Sequence, residues 1–265
     1  MIAAVTGIMA YAGFVAFKGP DNNGDKEKLI LKAVLTMMQQ VHFKNPPLDD
    51  NFSHRLYDTY MDRLDGMKRF LIMEDLDLLD DYQDSLDDQI RTDDLKFFEI
   101  SYKLINNSIE KTRKWYPELL SQPFDFTIKD SIETDGEKRS YAKDDAELKE
   151  FWRSYLKYET LTRLSDKIKE QETATEVPEG GKKSVAELEA DARKDVLEVF
   201  DEWYERMDKV RRSDRFEMYV NSITNVYDPH SDYFNPKEKE DFDINMSGRL
   251  EGIGARLQMD GDFTK

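Results

Sequence analysis

The sequence predicts a mainly α-helical fold: a helical domain that gives way, near its end, to the start of a β-containing unit. Three observations carry this. Apolar residues recur at helical spacing from Leu29 to Val226. Capping pairs three residues apart, Asp144 with Glu147 and Ser184 with Glu187, mark two helix starts. After Asn245 the texture changes: four of the twelve glycines fall in the last twenty residues, and Ile253, Ala255, Leu257 and Met259 alternate with other residues as a strand does.

In chain order, Ile2 to Phe17 carries no charge. The run is shorter than the roughly 20 residues that span a bilayer, so residues 1–19 read as a signal peptide or membrane anchor. Residues 20–25 form a polar linker. The first part of the helical domain covers 26–169. Its first helix, Lys26 to Phe43, carries Leu29, Ile30, Ala33, Val34, Met37, Met38 and Val41 on one stripe and is ended by Pro46-Pro47. Phe52, Leu56, Tyr57, Tyr60, Met61 and Leu64 form a second, closed by Gly66. Leu79, Tyr82, Leu86 and Ile90 form a third. A fourth opens at Asp93-Asp94, carries Phe98, Tyr102, Ile105 and Ile109, and is interrupted by Pro117 and Pro123. Asp144 starts a fifth, with Leu148, Phe151, Trp152, Tyr155 and Leu156.

Residues 170–183, EQETATEVPEGGKK, read as an exposed loop. The second part of the helical domain, 184–245, starts with the Ser184–Glu187 capping box and continues through Val196, Val199, Phe200, Trp203, Met207 and Val210. Ser213 is the expected cap of the next helix, which buries Phe216, Tyr219, Val220, Ile223 and Val226. The domain ends in Asp228-Pro229-His230-Ser231, and residues 246–265 begin the β-containing unit.

Composition narrows the function. With 39% hydrophobic and 12% aromatic residues the chain can build a core. Its 56 acidic residues against 39 basic ones leave a net charge of -17, and the basic residues are scattered among acids, so nucleic acid is not an expected partner. The chain has no cysteine, which removes disulfides, thiolate nucleophiles and cysteine zinc sites. The acidic run from Glu74 to Asp88 is not an EF-hand: a loop starting at Asp75 would put Leu79 at a ligand position and Asp80 where glycine is needed. It reads as a solvated helix face. No metal and no cofactor is expected.

His42, His54 and His230 stand in no metal-binding spacing. His230 has Ser231, Asp228 and Asp232 beside it, but nucleophile, base and orienting group normally converge from different elements, so this segment reads as a helix-ending turn. No catalytic residue is assigned. Gly252-Ile253-Gly254-Ala255 is open to two readings. Its glycines suit a simple tight bend, or a loop whose backbone amides turn toward a peptide's terminal carboxylate while the next strand pairs with the peptide.

Together, Tyr219-Val220-Asn221, Asp228-Pro229-His230-Ser231-Asp232-Tyr233-Phe234-Asn235-Pro236, a short acidic helix and Leu250-Glu251-Gly252-Ile253-Gly254-Ala255 resemble the tail-specific, or carboxy-terminal processing, serine protease family. Ser231 stands where that family usually has threonine. Leu48-Asp49-Asp50-Asn51-Phe52-Ser53, Leu64-Asp65 and Phe70 to Asp75 resemble its helical N-terminal domain more loosely, with Gly66 in place of a commoner proline. The resemblance implies the helical N-terminal domain of a tail-specific protease followed by the first strand of a truncated PDZ domain. It also implies an exported serine-type endopeptidase that recognises unstructured C-termini, with a serine–lysine dyad beyond this chain and Gly252, Ile253, Gly254 and Ala255 as substrate-binding residues. Expected partners are protein or peptide substrates and an adaptor protein, in the periplasm or cell envelope. The competing reading is a non-catalytic helical interaction module of the envelope, and continuation of the reading frame past Lys265 into a catalytic domain discriminates the two.

One outcome follows from the loop alone. Brief treatment with a low level of a nonspecific protease is expected to cut first between residues 170 and 183, giving two fragments on a denaturing gel.

Overall fold

The computed structural model describes residues 23–174, 181–247, 259–260 and 263–264. Its helices are α1 (Asn23–Val41), α2 (Asp50–Asp65), α3 (Met73–Asp80), α4 (Leu86–Arg91), α5 (Lys96–Leu120), α6 (Asp145–Thr173), α7 (Val185–Asp208), α8 (Arg212–Tyr227) and α9 (Pro236–Ser247). Two short antiparallel strands follow, β1 (Met259–Asp260) and β2 (Phe263–Thr264), with Asp260 opposite Phe263.

The 25-residue α5 is the axis. Near its start it packs on α8, which also meets α1 and α2; toward its end it packs on the antiparallel pair α6 and α7. Each end is set in aromatic rings. Phe97 and Phe98 meet Tyr60, Phe216 and Tyr219 at centroid distances of 5.4 to 6.2 Å. Tyr116 lies flat on Tyr204 at 4.8 Å, beside Phe200 and the fully buried Trp152. Trp152 donates its indole N–H to the Arg69 carbonyl at 2.8 Å, so the largest core side chain leaves no polar atom unpaired.

Helix starts follow the expected chemistry with two exceptions. Asp49, Asp144 and Ser184 each accept the N–H three residues on, and the Ser184–Glu187 box closes in both directions. Glu147 instead reaches back to the Lys143 N–H. Ser213 does not cap α8. The helix starts two residues earlier, after Arg211, with the Asp214 carboxylate accepting the Arg211 N–H at 2.9 Å.

Other expectations need correcting. The single helix over Leu79 to Ile90 is two, α3 and α4, because the N–H groups of Tyr82, Gln83 and Ser85 bond three residues back rather than four. The stripe survives the break: Leu79, Leu86 and Ile90 are fully buried. Ser53 settles where α4 begins, accepting the Asp87 N–H and donating to its carboxylate, both at 2.8 Å. Pro117 does not interrupt α5, which runs on to Leu120. The proline costs about 3 kcal/mol in a helix interior, and burial of Tyr116 and Leu120 on either side of it offsets that cost. The α1 helix ends at Val41, short of Pro46, and Val199 and Val210 are exposed rather than core.

The loop from 121 to 143 is pinned at several points. Met73 N–H bonds the Ala142 carbonyl at 2.9 Å, Phe124 N–H bonds Glu189, and the buried Lys157 reaches the Ile128 carbonyl and Asp130 at 3.0 and 2.7 Å. At Gly136 the loop crosses the end of α2 so closely that a Cβ would sit 2.2 Å from the Gly66 carbonyl oxygen. Gly66 therefore ends α2 with φ -57° and no left-handed turn; that turn falls on Lys68, at φ 52°. Close approach is what requires glycine at Gly136.

Asp65 organises this corner. Its buried carboxylate accepts the N–H groups of Arg69, Phe70 and Leu71 at 2.8 to 3.0 Å. Burial pushes its pKa up to about 6, against the pull of the three amides and of Arg139. Because that value lies above the ordinary one, Asp65 is expected to titrate near pH 6 by carboxyl NMR and to erode stability as pH rises from about 4 to about 6. Asp65→Asn turns an acceptor into a donor facing a backbone N–H, and is expected to cost about 1–3 kcal/mol in urea unfolding and to flatten that pH dependence.

Candidate functional site

The segment from 228 to 235 joins α8 to α9 and leads toward Gly252-Ile253-Gly254-Ala255. Those four residues, the predicted carboxylate-binding loop, lie outside the described residues, as does most of the predicted strand. The site that can be built from side chains is the brace just ahead of them.

Pro229 has no N–H and restrains the residue before it, so α8 stops at Tyr227 and Asp228 turns extended, its N–H still bonded to the Thr224 carbonyl. The Asp228 carboxylate accepts the His230 N–H at 2.9 Å and faces the Lys44 ammonium at 3.5 Å. The His230 N–H, then the His230 ring and Lys44, hold that carboxyl below the usual range. A Ser231 N–H bond to the Asp228 carbonyl closes the turn at 3.0 Å.

Two asparagines one turn apart on α8 then grip the returning chain. Asn225 donates to the Ser231 carbonyl at 2.8 Å. Asn221 accepts the Tyr233 N–H at 2.6 Å and donates to the Tyr233 carbonyl at 3.2 Å, so its amide pairs with both backbone groups of one residue as a neighbouring strand would. Asn235 starts α9 by accepting the Lys237 and Glu238 N–H groups, and donates to Glu217 on α8 at 2.8 Å.

Distant elements back this brace. Arg55 of α2 donates to the Val226 carbonyl at 2.6 Å, satisfying one of the open groups at the end of α8. Arg63, two turns on, reaches Asn225 and Ser222. His42, just past α1, sits edge-on to Tyr227, with Nδ1 2.7 Å from the Lys44 carbonyl and Nε2 3.2 Å from the Ser231 hydroxyl. The Lys44 N–H also lies 3.2 Å from Nδ1; in the tautomer that puts the proton on Nδ1 toward the carbonyl, Nε2 is the acceptor for Ser231.

The histidine that meets Ser231 is thus His42, 189 residues away, while His230 points to solvent with a side chain 90% exposed. His42 is oriented by a carbonyl rather than a carboxylate, and the pair ties α1 to the turn. Four carboxylates of the acidic run are engaged structurally: Asp80 takes the Tyr57 hydroxyl, Asp75 the Ile72 N–H, Asp87 and Asp88 the Arg91 guanidinium. Among the described residues no group of three or more acidic or histidine side chains could hold a metal ion, and no helix is long and apolar enough to cross a membrane. Residues 1–22, which carry the expected signal or anchor, lie outside the description.

Sequence reading singled out Asn221 and the 228–236 segment but not His42, Lys44, Arg55 or Arg63. Asn221 and Asn225, four apart on one side of α8, were the local signal that this face receives a chain. Asn221→Ala removes both bonds to Tyr233 and is expected to cost about 1–3 kcal/mol; hydrogen exchange at the Tyr233 amide should speed up by at least about tenfold while the α5 core amides change little.

A family model described as the tail specific protease N-terminal domain matches residues 34–237. The chain is also similar to a tail-specific protease of Haemophilus influenzae, 25% identical over 240 residues, which are 90% of this chain and 32% of that protein. This chain therefore spans about a third of the length of the curated relative it matches.

Proposed function

This chain belongs to the tail-specific protease N-terminal domain family, and from that premise we propose that it is the N-terminal helical region of an exported serine-type endopeptidase that recognises and degrades or processes proteins from their C-termini. Its own task is to frame the substrate entrance and to carry the peptide-binding unit that begins after α9. The observation that carries the reading is the brace at Asn221, Ser231 and Tyr233, which fixes how the chain turns from α8 into α9, ahead of Gly252-Ile253-Gly254-Ala255 in the sequence. Backbone amides at those glycines suit a terminal carboxylate, and a following strand suits an extended peptide.

On this reading the nucleophilic serine and its lysine base belong to a later part of the enzyme. The lysine must lose most of its hydration to be neutral near pH 7, which calls for a closed domain of its own. Substrates are proteins with unstructured C-termini; an adaptor would find room on the exposed helices. The expected place is the periplasm or cell envelope, consistent with the uncharged run from Ile2 to Phe17.

The test uses the full translation product of the gene. It should degrade a protein bearing an unstructured apolar tail, and amidating the tail's terminal carboxylate should slow degradation about tenfold or more, as should Gly252→Val. Equal rates for free and amidated tails, or no cleavage of either, would sink the reading.

A further inference from the structure

Most of the described arginines in this acidic chain meet a carboxylate; Arg91, Arg153 and Arg212, for example, do so at 2.5 to 2.9 Å. Arg69 and Arg139 differ. The Arg69 Nε–H is buried without a hydrogen-bond partner. The Arg139 guanidinium donates to the Met67 carbonyl at 2.8 Å, and among the described residues neither arginine is ion-paired. A buried donor left open is costly, and its ordinary partner is an oxygen atom.

The two cations rest on one aromatic pair. The Arg69 guanidinium lies over the Tyr155 ring, 4.4 Å from its centroid, and the Arg139 guanidinium over the Phe151 ring at 3.3 Å. Phe151 and Tyr155 stand one turn apart on α6 with centroids 5.9 Å apart and planes within 7°. A ring under a guanidinium engages its charge and consumes none of its N–H donors. The backbones are pinned as well. Asp65 holds the Arg69 N–H and the Trp152 indole the Arg69 carbonyl, both at 2.8 Å, while the Lys68 ammonium holds the Arg139 carbonyl. Neighbouring carboxylates are taken: Asp65 by three backbone amides, Glu150 by Arg153 and Glu159 by Arg163.

We propose that Arg69 and Arg139, held on the Phe151–Tyr155 ring pair, form an oxyanion-binding site that takes a carboxylate or phosphate group through their open N–H donors. A guanidinium offers two parallel donors to two oxygens of such a group, and it is fixed in place before the ligand arrives, so little freedom is lost on binding. All four side chains are half-buried, which leaves the site reachable from solvent and its charges less screened than those of a fully exposed pair. With a net charge of -17 the rest of the chain repels anions, so the attraction is local to this corner and weakens as salt is added. The site does not depend on the peptide chemistry proposed above.

The test is a titration of the whole chain at low salt with two probes, inorganic phosphate and an acetylated, amidated triglutamate peptide, followed by the arginine Nε–H resonances in NMR. At least one probe should shift the Arg69 resonance and saturate with a Kd of about 1 mM or tighter. Saturation by phosphate alone identifies a phosphate-bearing ligand, and saturation by triglutamate identifies an acidic protein segment. Arg69→Gln and Arg139→Gln should each weaken that binding about tenfold or more, and Arg139→Lys, which keeps the charge but loses the planar fork, should weaken it as well. Arg153→Gln, on the same helix but already engaged by Glu150 and Asp130, should leave it unchanged. If one glutamine variant fails to fold by circular dichroism, the other and the wild-type resonance decide. No shift of the Arg69 resonance with either probe at about 10 mM, or binding that survives the glutamine substitutions, overturns the site.

Discussion

A single constraint organises this molecule: α5 must bury a stripe along its whole length, which at 1.5 Å per residue is about 37 Å. No one partner helix covers it. The half that begins with Phe97 and Phe98 is covered by α8 with Tyr60 of α2 behind it, and the half that ends in Tyr116 and Leu120 by α6 and α7. Both halves use rings meeting edge-on or flat, which adds directionality to the area buried. The long loop from 121 to 143 is then held in place by what this packing leaves available at its margins: the Asp65 corner, Lys157 and Glu189.

How much of this was legible in the sequence differs by kind of interaction. Apolar spacing located the helices and most of the core, because Leu56, Tyr60, Phe98, Trp152, Phe216 and Tyr219 can be buried together only on one side of a helix. Spacing was blind to the break between α3 and α4, since Leu79, Leu86 and Ile90 keep one stripe whether or not a turn intervenes. It misjudged Pro117 because local cost was weighed without the tertiary burial around it. At the start of α8 it preferred the hydroxyl of Ser213 to the carboxylate of Asp214, although either group can satisfy an open N–H.

The candidate site divides along the same line. Asn221 and the 228–236 segment were visible as neighbours in the chain. Their supports were not: the Ser231–His42 contact spans 189 positions, and the contacts from Arg55 and Arg63 to α8 span 171 and 159 to 162. A side chain whose partner lies that far away leaves no periodicity to read. The joint between α8 and α9 is consequently a tertiary product, built from α1, α2 and α8 together, and it holds the turn into α9 only while all three are folded.

The contact between Gly66 and Gly136 has a consequence for how this domain can drift. Two backbone segments far apart in the chain meet with no side chain between them, and the carbonyl of one occupies the space a methyl on the other would need. A substitution at Gly136 therefore cannot be absorbed by a rotamer change; it requires the end of α2 to shift, which disturbs the three amides gathered on Asp65. Among diverging descendants of this sequence, Gly136 and the α2 terminus should change in concert or stay fixed, and the Asp65 corner should keep the slowest clock in the domain.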